Sequence, residues 1–256
     1  MSKSELGRFV PVAVPVSRRW LLAQGFSISR LDNALKSGKL EALATGVYIR
    51  PGLPVDWKGV VFALQREGAG MVVGGLSALE LQGKGHYVAL AKEKQLMAFA
   101  PYSAPSWLKR LPLPLDVEWL GTTRLWKDER STALEFTQPY DWREGLSPLL
   151  ISSTERALLE VLSLVPQRIS FEYADNLFQG LTSLSPKRLA GVLSACSNIK
   201  AKRLFFWLSR RYEYPWAVHL QPTDYDLGSG KRVIAPQGRL DPQFLITVPE
   251  AFHEPR

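Results

Sequence analysis

Sulfur and imidazole are scarce in this chain, which has one cysteine, three histidines and three methionines among 256 residues. The lone Cys196 excludes an internal disulfide and points to a reducing, cytoplasmic compartment. His86, His219 and His253 stand far apart with no Cys, Asp or Glu at metal-ligand spacing, so no metal is expected. Long apolar runs are missing too. Val60–Leu64 and Leu204–Leu208 fall far short of the roughly 20 residues a bilayer crossing needs, so no membrane span is expected. Phe9–Val16 is broken by Pro11 and Pro15 and precedes no small-residue cleavage site, which argues against a secretory signal. No Gly-x-Ser-x-Gly elbow marks a nucleophile. The run GGLSALELQGKG, residues 74–85, lacks both phosphate-loop spacing and the order strand, Gly-x-Gly-x-x-Gly, helix. In DLGSGKRVI, residues 226–234, the strand-like Val233-Ile234 follows the glycines where a phosphate loop would open a helix. A hairpin turn is expected there. No catalytic residue and no cofactor are assigned.

What the sequence does have is positive charge, and its distribution says more than its total. The formal net charge is +8. Residues 1–52 hold eight basic residues (Lys3, Arg8, Arg18, Arg19, Arg30, Lys36, Lys39 and Arg50) against three acids (Glu5, Asp32 and Glu41), or +5 of that total. A small basic head on a nearly neutral body suits polyanion binding, because each neutralised phosphate releases counterions. The length and the 46% hydrophobic content allow two domains with real cores.

Within the head, Ser17–Gln24 reads as a short helix with Trp20 and Leu21 available for a core, stopped by Gly25. Ser27 then caps a second helix running to about Ser37 and closed by Gly38. Ile28, Leu31 and Leu35 recur at helical spacing and are expected to face inward. Ser29, Arg30, Asn33, Lys36 and Ser37 fall on the other side. Arg pairs with guanine O6 and N7, Asn with adenine N6 and N7, and Ser and Lys hold phosphates, so this is the surface a recognition helix needs. Leu40–Leu43, the turn Ala44-Thr45-Gly46 and Val47–Arg50 form a hairpin directly behind, the arrangement called a wing. The wing tip has no basic side chain, which leaves its contacts to Tyr48 and Arg50. Arg18, Arg19 and Ser27 complete the DNA-binding candidates.

Beyond the head, Asp56 can cap a helix whose Trp57, Val60, Val61 and Leu64 pack against the winged helix as support. Ser77–Gln82 suggests another small helix. Strands are expected at Leu96–Ala100, Asp116–Leu120, Thr132–Thr137 and Leu149–Ile151, with Tyr102–Leu115 a proline-bearing surface loop. Ser152 and Glu155 form a capping box ahead of the stripe Ala157, Leu158, Val161, Leu162 and Val165. Ser170–Gly180 is a further helix, Ser185-Pro186 opens another, and a last one runs from Asn198 or Ile199 to near Tyr212. Cys196 lies by Val192 and Leu193 as an inert buried thiol. Lys187, Arg188, Lys200, Lys202, Arg203, Arg210 and Arg211 follow one another with no acid between, and Lys231, Arg232 and Arg239 extend the series. Read as a patch, it would meet nucleic acid or an acidic or nucleotide-bearing toxin surface.

The runs LLAQGFSISRLDNALKSGKLEALATGVYIRPGLPVDWKGVVFALQ and VGGLSALELQGKGHYV resemble the N-terminal region of AbiEi antitoxins of type IV toxin-antitoxin systems. SSTERALLEVLSLVP, KAKRLFFWLSRRYEYPW and DLGSGKRVIAPQGRLDPQFLITVP resemble the C-terminal antitoxin segment of the same family. The resemblance implies an α+β chain, with a winged helix-turn-helix region over residues 1–95 and a larger mixed α/β antitoxin domain over 96–256. It also implies two partners. These are operator DNA at the chain's own promoter and a nucleotidyltransferase-like toxin, with autorepression and phage defence by abortive infection as the outcome. The sequence departs from the family at the wing tip, where Ala44 and Thr45 stand in place of a basic residue that members often carry. Two other readings stay open: a body that is an enzyme acting on nucleic acid or toxin, and a winged helix that contacts protein. The oligomeric state is left open as well.

Overall fold

The computed structural model describes residues 6–7, 9–84, 95–127 and 135–252. The head begins with a short strand β1, Val16–Ser17, followed by helices α1, Arg18–Ala23, and α2, Ile28–Lys36. Serine starts both helices, since Ser17 Oγ accepts from Trp20 N and Ser27 Oγ from Arg30 N, satisfying donors that a helix start leaves unpaired. Between them Gly25 adopts φ +83°, open to a residue without Cβ, and turns the chain. Strands β2, Glu41–Ala44, and β3, Val47–Ile49, form the hairpin, and β1 pairs with β3 through Val16–Tyr48 and Ser17–Val47. The sequence pattern gave no sign of β1, which is two residues long. Leu21, Phe26, Leu31, Ala34, Leu40 and Tyr48 close a small core of the head's own. Ile28 does not join it: the residue is 53% exposed, and Ala34 fills the inward position, because the first helical turn projects past the core.

A second, larger core begins at α3, Trp57–Arg66, capped by Asp56. The expected stripe of α3 turns the other way, since Val60, Val61 and Leu64 are buried in the body's core. The helix meets the head on its other side. Gly59 lies so close to Ala13 that an added Cβ would sit 2.3 Å from its carbonyl oxygen. Arg66 donates to Phe9 O and stacks 4.0 Å over the Trp20 ring, and Glu67 accepts from Ser17 N.

The body is built on a five-stranded mixed sheet. In chain order its strands are β4 (Val72–Val73), β5 (Gln95–Ala100), β6 (Asp116–Gly121), β7 (Thr137–Tyr140) and β8 (Leu149–Ser152). Spatially they run β6-β5-β4-β8-β7, with β5 and β6 parallel and β7 and β8 antiparallel. Of the strand expected at 132–137, residues 132–134 lie outside the described residues, and the observed strand starts at Thr137. Helix α4, Gly75–Leu81, follows β4. Helix α5, Thr154–Leu164, is the hub: every residue from Thr154 to Leu162 is buried. Helices α6 (Phe171–Gly180), α7 (Pro186–Ala195) and α8 (Ile199–Tyr212) pack around it.

The capping box expected from Ser152 and Glu155 does not form at α5. Ser153 is the cap, accepting from Arg156 N, while Ser152 Oγ donates to Glu160 and Glu155 accepts from Ser185 N. Glu160 also accepts from Gly75 N at 2.8 Å, so the glycine pair of GGLSALELQGKG meets a carboxylate of the protein itself. A last small sheet, of β9 (Arg232–Val233), β10 (Arg239–Asp241) and β11 (Ile246–Val248), closes the chain. Its β9 runs parallel to β11, so DLGSGKRVI is a loop entering an edge strand and not a hairpin. Among the described residues no helix is long and apolar enough to cross a membrane, and no cluster of metal-ligating side chains forms.

Candidate nucleic-acid interface

Helix α2 buries Leu31 and Ala34, and everything on its far side faces solvent. Ser29, Arg30, Asn33 and Lys36 are exposed, as are Ser27 and Ser37 at its two ends and Arg18 and Arg19 on α1. Ser27 and Ser29 share a hydroxyl hydrogen bond of 3.0 Å, and Ser37 Oγ bonds back to Ala34 O. Ile28 and Leu22 (38% exposed) add apolar surface beside these polar groups. Periodicity hid Ile28, whose place next to the N-cap was the available signal. A face combining a guanidinium, an amide, hydroxyls and an accessible methyl group offers the donors and apolar contacts that base edges and phosphates take.

The hairpin contributes less. Tyr48 is only 9% exposed and packs in the head's core, because β3 is the central strand and its side chains point inward. That removes its ring from the accessible face. Arg50, at the strand's end, is half-buried. The turn is held down by Arg18 N, which donates to Gly46 O at 2.8 Å.

The seven cations from 187 to 211 do not make one exposed face. Helix α8 is buried on nearly all sides from Ala201 to Ser209, so its charges are satisfied internally. Arg203, 2% exposed, donates to the carbonyls of Leu227, Gly228, Gly230 and Leu245. Lys200 reaches Ser163 O and Val165 O, and burial pulls its ammonium below the usual lysine range. Lys202 is buried beside Cys196 and Asp226, and desolvation lowers it too. Arg211 pairs with Asp175 at 3.3 Å and donates to Phe252 O, while Arg210 binds Asp241 and Gln243. The absence of acids in the sequence misled, because the counter-groups are carbonyls and distant carboxylates. Lys187, Arg188, Lys231, Arg232 and Arg239 remain exposed. Cys196 is fully buried at the end of α7, and burial pushes its thiol up to about 11. His219 is exposed, and His86 and His253 lie outside the described residues.

Two family models account for the chain almost end to end. Residues 3–90 match the N-terminal domain of the AbiEi antitoxin transcriptional regulator, and residues 91–249 match the model described as transcriptional regulator, AbiEi antitoxin, type IV toxin-antitoxin system. The chain belongs to the AbiEi antitoxin family. A crystal structure of the RV2827C protein from Mycobacterium tuberculosis shares its fold, with a TM-score of 0.56 at 18% identity over 95% of this chain and 88% of that one. A comparison with curated protein sequences gives no match. In this AbiEi chain the two family regions thus differ in surface as well as in sequence: the first carries an exposed polar helix face with Arg30 and Lys36 beside one acid, Asp32, the second a helix whose cations are largely internal.

Proposed function

We propose that this AbiEi antitoxin represses its own operon by placing α2 in the major groove of operator DNA, and that its body neutralises a nucleotidyltransferase-like toxin. The observation that carries the first part is the α2 face, where Ser29, Arg30, Asn33 and Lys36 project from a helix whose opposite side closes the head's core. Helix-turn-helix proteins read base edges from the N-terminal part of the second helix while the first crosses the backbone. Arg30 and Asn33 are then the base-reading pair, Lys36 and Ser37 hold phosphate, and Arg18 and Arg19 on α1 hold the backbone. Ile28 supplies an apolar contact for a thymine methyl. With Tyr48 packed inward, the wing has a small part.

The test is a mobility shift of the protein's own promoter fragment. The double variant R30A/N33A should lose sequence-specific binding by about 10²-fold or more, at about 1–3 kcal/mol for each base contact, while keeping a salt-dependent nonspecific mode. The same variant should still rescue cells from the toxin, because its substitutions lie outside the body. Unchanged promoter binding by R30A/N33A would remove α2 as the recognition element.

A further inference from the structure

Where head and body meet, a groove of about 1000 Å³ opens between α1, the end of α3 and the loop at residues 105–107. Pockets for small molecules run from about 300 to 1,000 Å³ and concentrate at such junctions. Its walls carry the indoles of Trp20 and Trp107, and Arg18 and Arg19 line the same space. Neither arginine has an ion-pair partner among the described residues. Behind Trp20 the Arg66 guanidinium is desolvated, and its Nε and Nη2 atoms are buried without hydrogen-bond partners. Glu67 is the one carboxylate in the lining, and it already accepts from Ser17 N. The groove therefore combines aromatic walls with a net positive charge, two guanidinium groups against one carboxylate.

We propose that this groove binds a small planar aromatic anion of the nucleotide class. Its ring would stack on the indole wall at Trp107, and its phosphates would lie against Arg18 and Arg19. Aromatic stacking is tolerant of base identity, and guanidinium forks match phosphate geometry, so the two features together select base plus phosphate over either alone. An occupant would tie α1 to the loop at residues 105–107. It would also engage two arginines assigned above to the DNA backbone, so it would weaken operator binding. That consequence, unlike the binding itself, rests on the proposed DNA-binding role.

The experiment titrates the full chain with ATP while following tryptophan fluorescence excited on the red edge of indole absorption. Adenosine serves as the phosphate-free arm and tripolyphosphate as the base-free arm. ATP should give a saturable change below about 1 mM, an ordinary range for a modest site. Adenosine and tripolyphosphate should bind at least tenfold more weakly. S106W, at an exposed position on the groove's wall, should obstruct the space, and R18A/R19A should remove the phosphate contacts. Each should weaken ATP at least tenfold with circular dichroism and melting unchanged. No saturable response to ATP, an undiminished response in both variants, or tripolyphosphate binding as tight as ATP would each overturn the proposal. An ATP response in a protein that shifts no promoter fragment defeats the operator reading and leaves the groove site standing. Promoter binding without an ATP response does the reverse.

Discussion

Helices α2 and α8 both carry lysine and arginine, two in nine residues and five in fourteen, and give them opposite fates. The nine-residue α2 has one buried side, so Arg30 and Lys36 stand in water. The fourteen-residue α8 is buried around most of its circumference, so Lys200, Arg203 and Arg211 thread back to carbonyls and a carboxylate. A cation on a one-sided helix is available to a partner, whereas a cation on an enclosed helix belongs to the fold. Sequence charge runs do not separate the two, because a backbone carbonyl leaves no trace in a count of acids.

The largest effect that tests this contrast is on Arg203. R203A strips the hydrogen bonds from four inward carbonyls, and removing one partner of a buried charged network costs about 3–5 kcal/mol. At about 2–4 °C per kcal/mol for a chain of this size, melting should fall by about 6–20 °C in calorimetry. A shift under 2 °C would break the comparison, since Arg203 would then be no more structural than Arg30. R30A/N33A should move melting by less than about 0.5 kcal/mol while removing most specific DNA binding, because surface positions contribute little to stability.

The comparison also explains what was readable beforehand. Most helices whose start is a side-chain cap were legible: Ser27, Asp56, Ser170, Ser185 and Asn198 each sit where the helix begins, and only at α5 does the cap, Ser153, fall one residue past the expected serine. So was the α2 face, since amphipathic periodicity marks Leu31 as inward and Arg30 and Asn33 as outward. The two-residue strand Val16–Ser17 was not legible, because its pairing with distant residues, and no local pattern, defines it. The groove was invisible for the same reason. Trp20 and Trp107 are 87 positions apart in sequence, and only the seating of α3 between head and body brings their walls together.

An intermediate case sharpens the division. Asp241 is buried while its partner Arg210 has a side chain 45% exposed. Desolvation opposes ionisation of the carboxyl, but the Phe244 amide, the Arg210 guanidinium and the Gln243 amide together hold it below the ordinary aspartate range. Its folded pKa is thus depressed, so its stabilisation is complete above the unfolded value near 4 and is lost as pH falls through the folded value. D241N should lower stability at pH 7 by about 1–3 kcal/mol, the range for hydrogen bonds to a charged group, and should flatten acid unfolding below about pH 4. R210A should cost less, because exposed partners are screened by solvent.

The smallest effect is expected at Lys187 and Arg188, the cations of the 187–211 series that stand exposed on the first turn of α7. Positive charge in a first turn opposes the helix dipole, and alanine is the better helix former at both positions. K187A/R188A should therefore leave melting within about 0.5 kcal/mol of the parent, on the stabilising side. A clear loss of stability would place these two with Arg203. The expected result has a different meaning. A chain that keeps two locally unfavourable cations in solvent is not keeping them for its fold, and local rules of this kind are broken where a partner binds. Growth rescue by K187A/R188A beside the unchanged melting then reports on the antitoxin's surface alone.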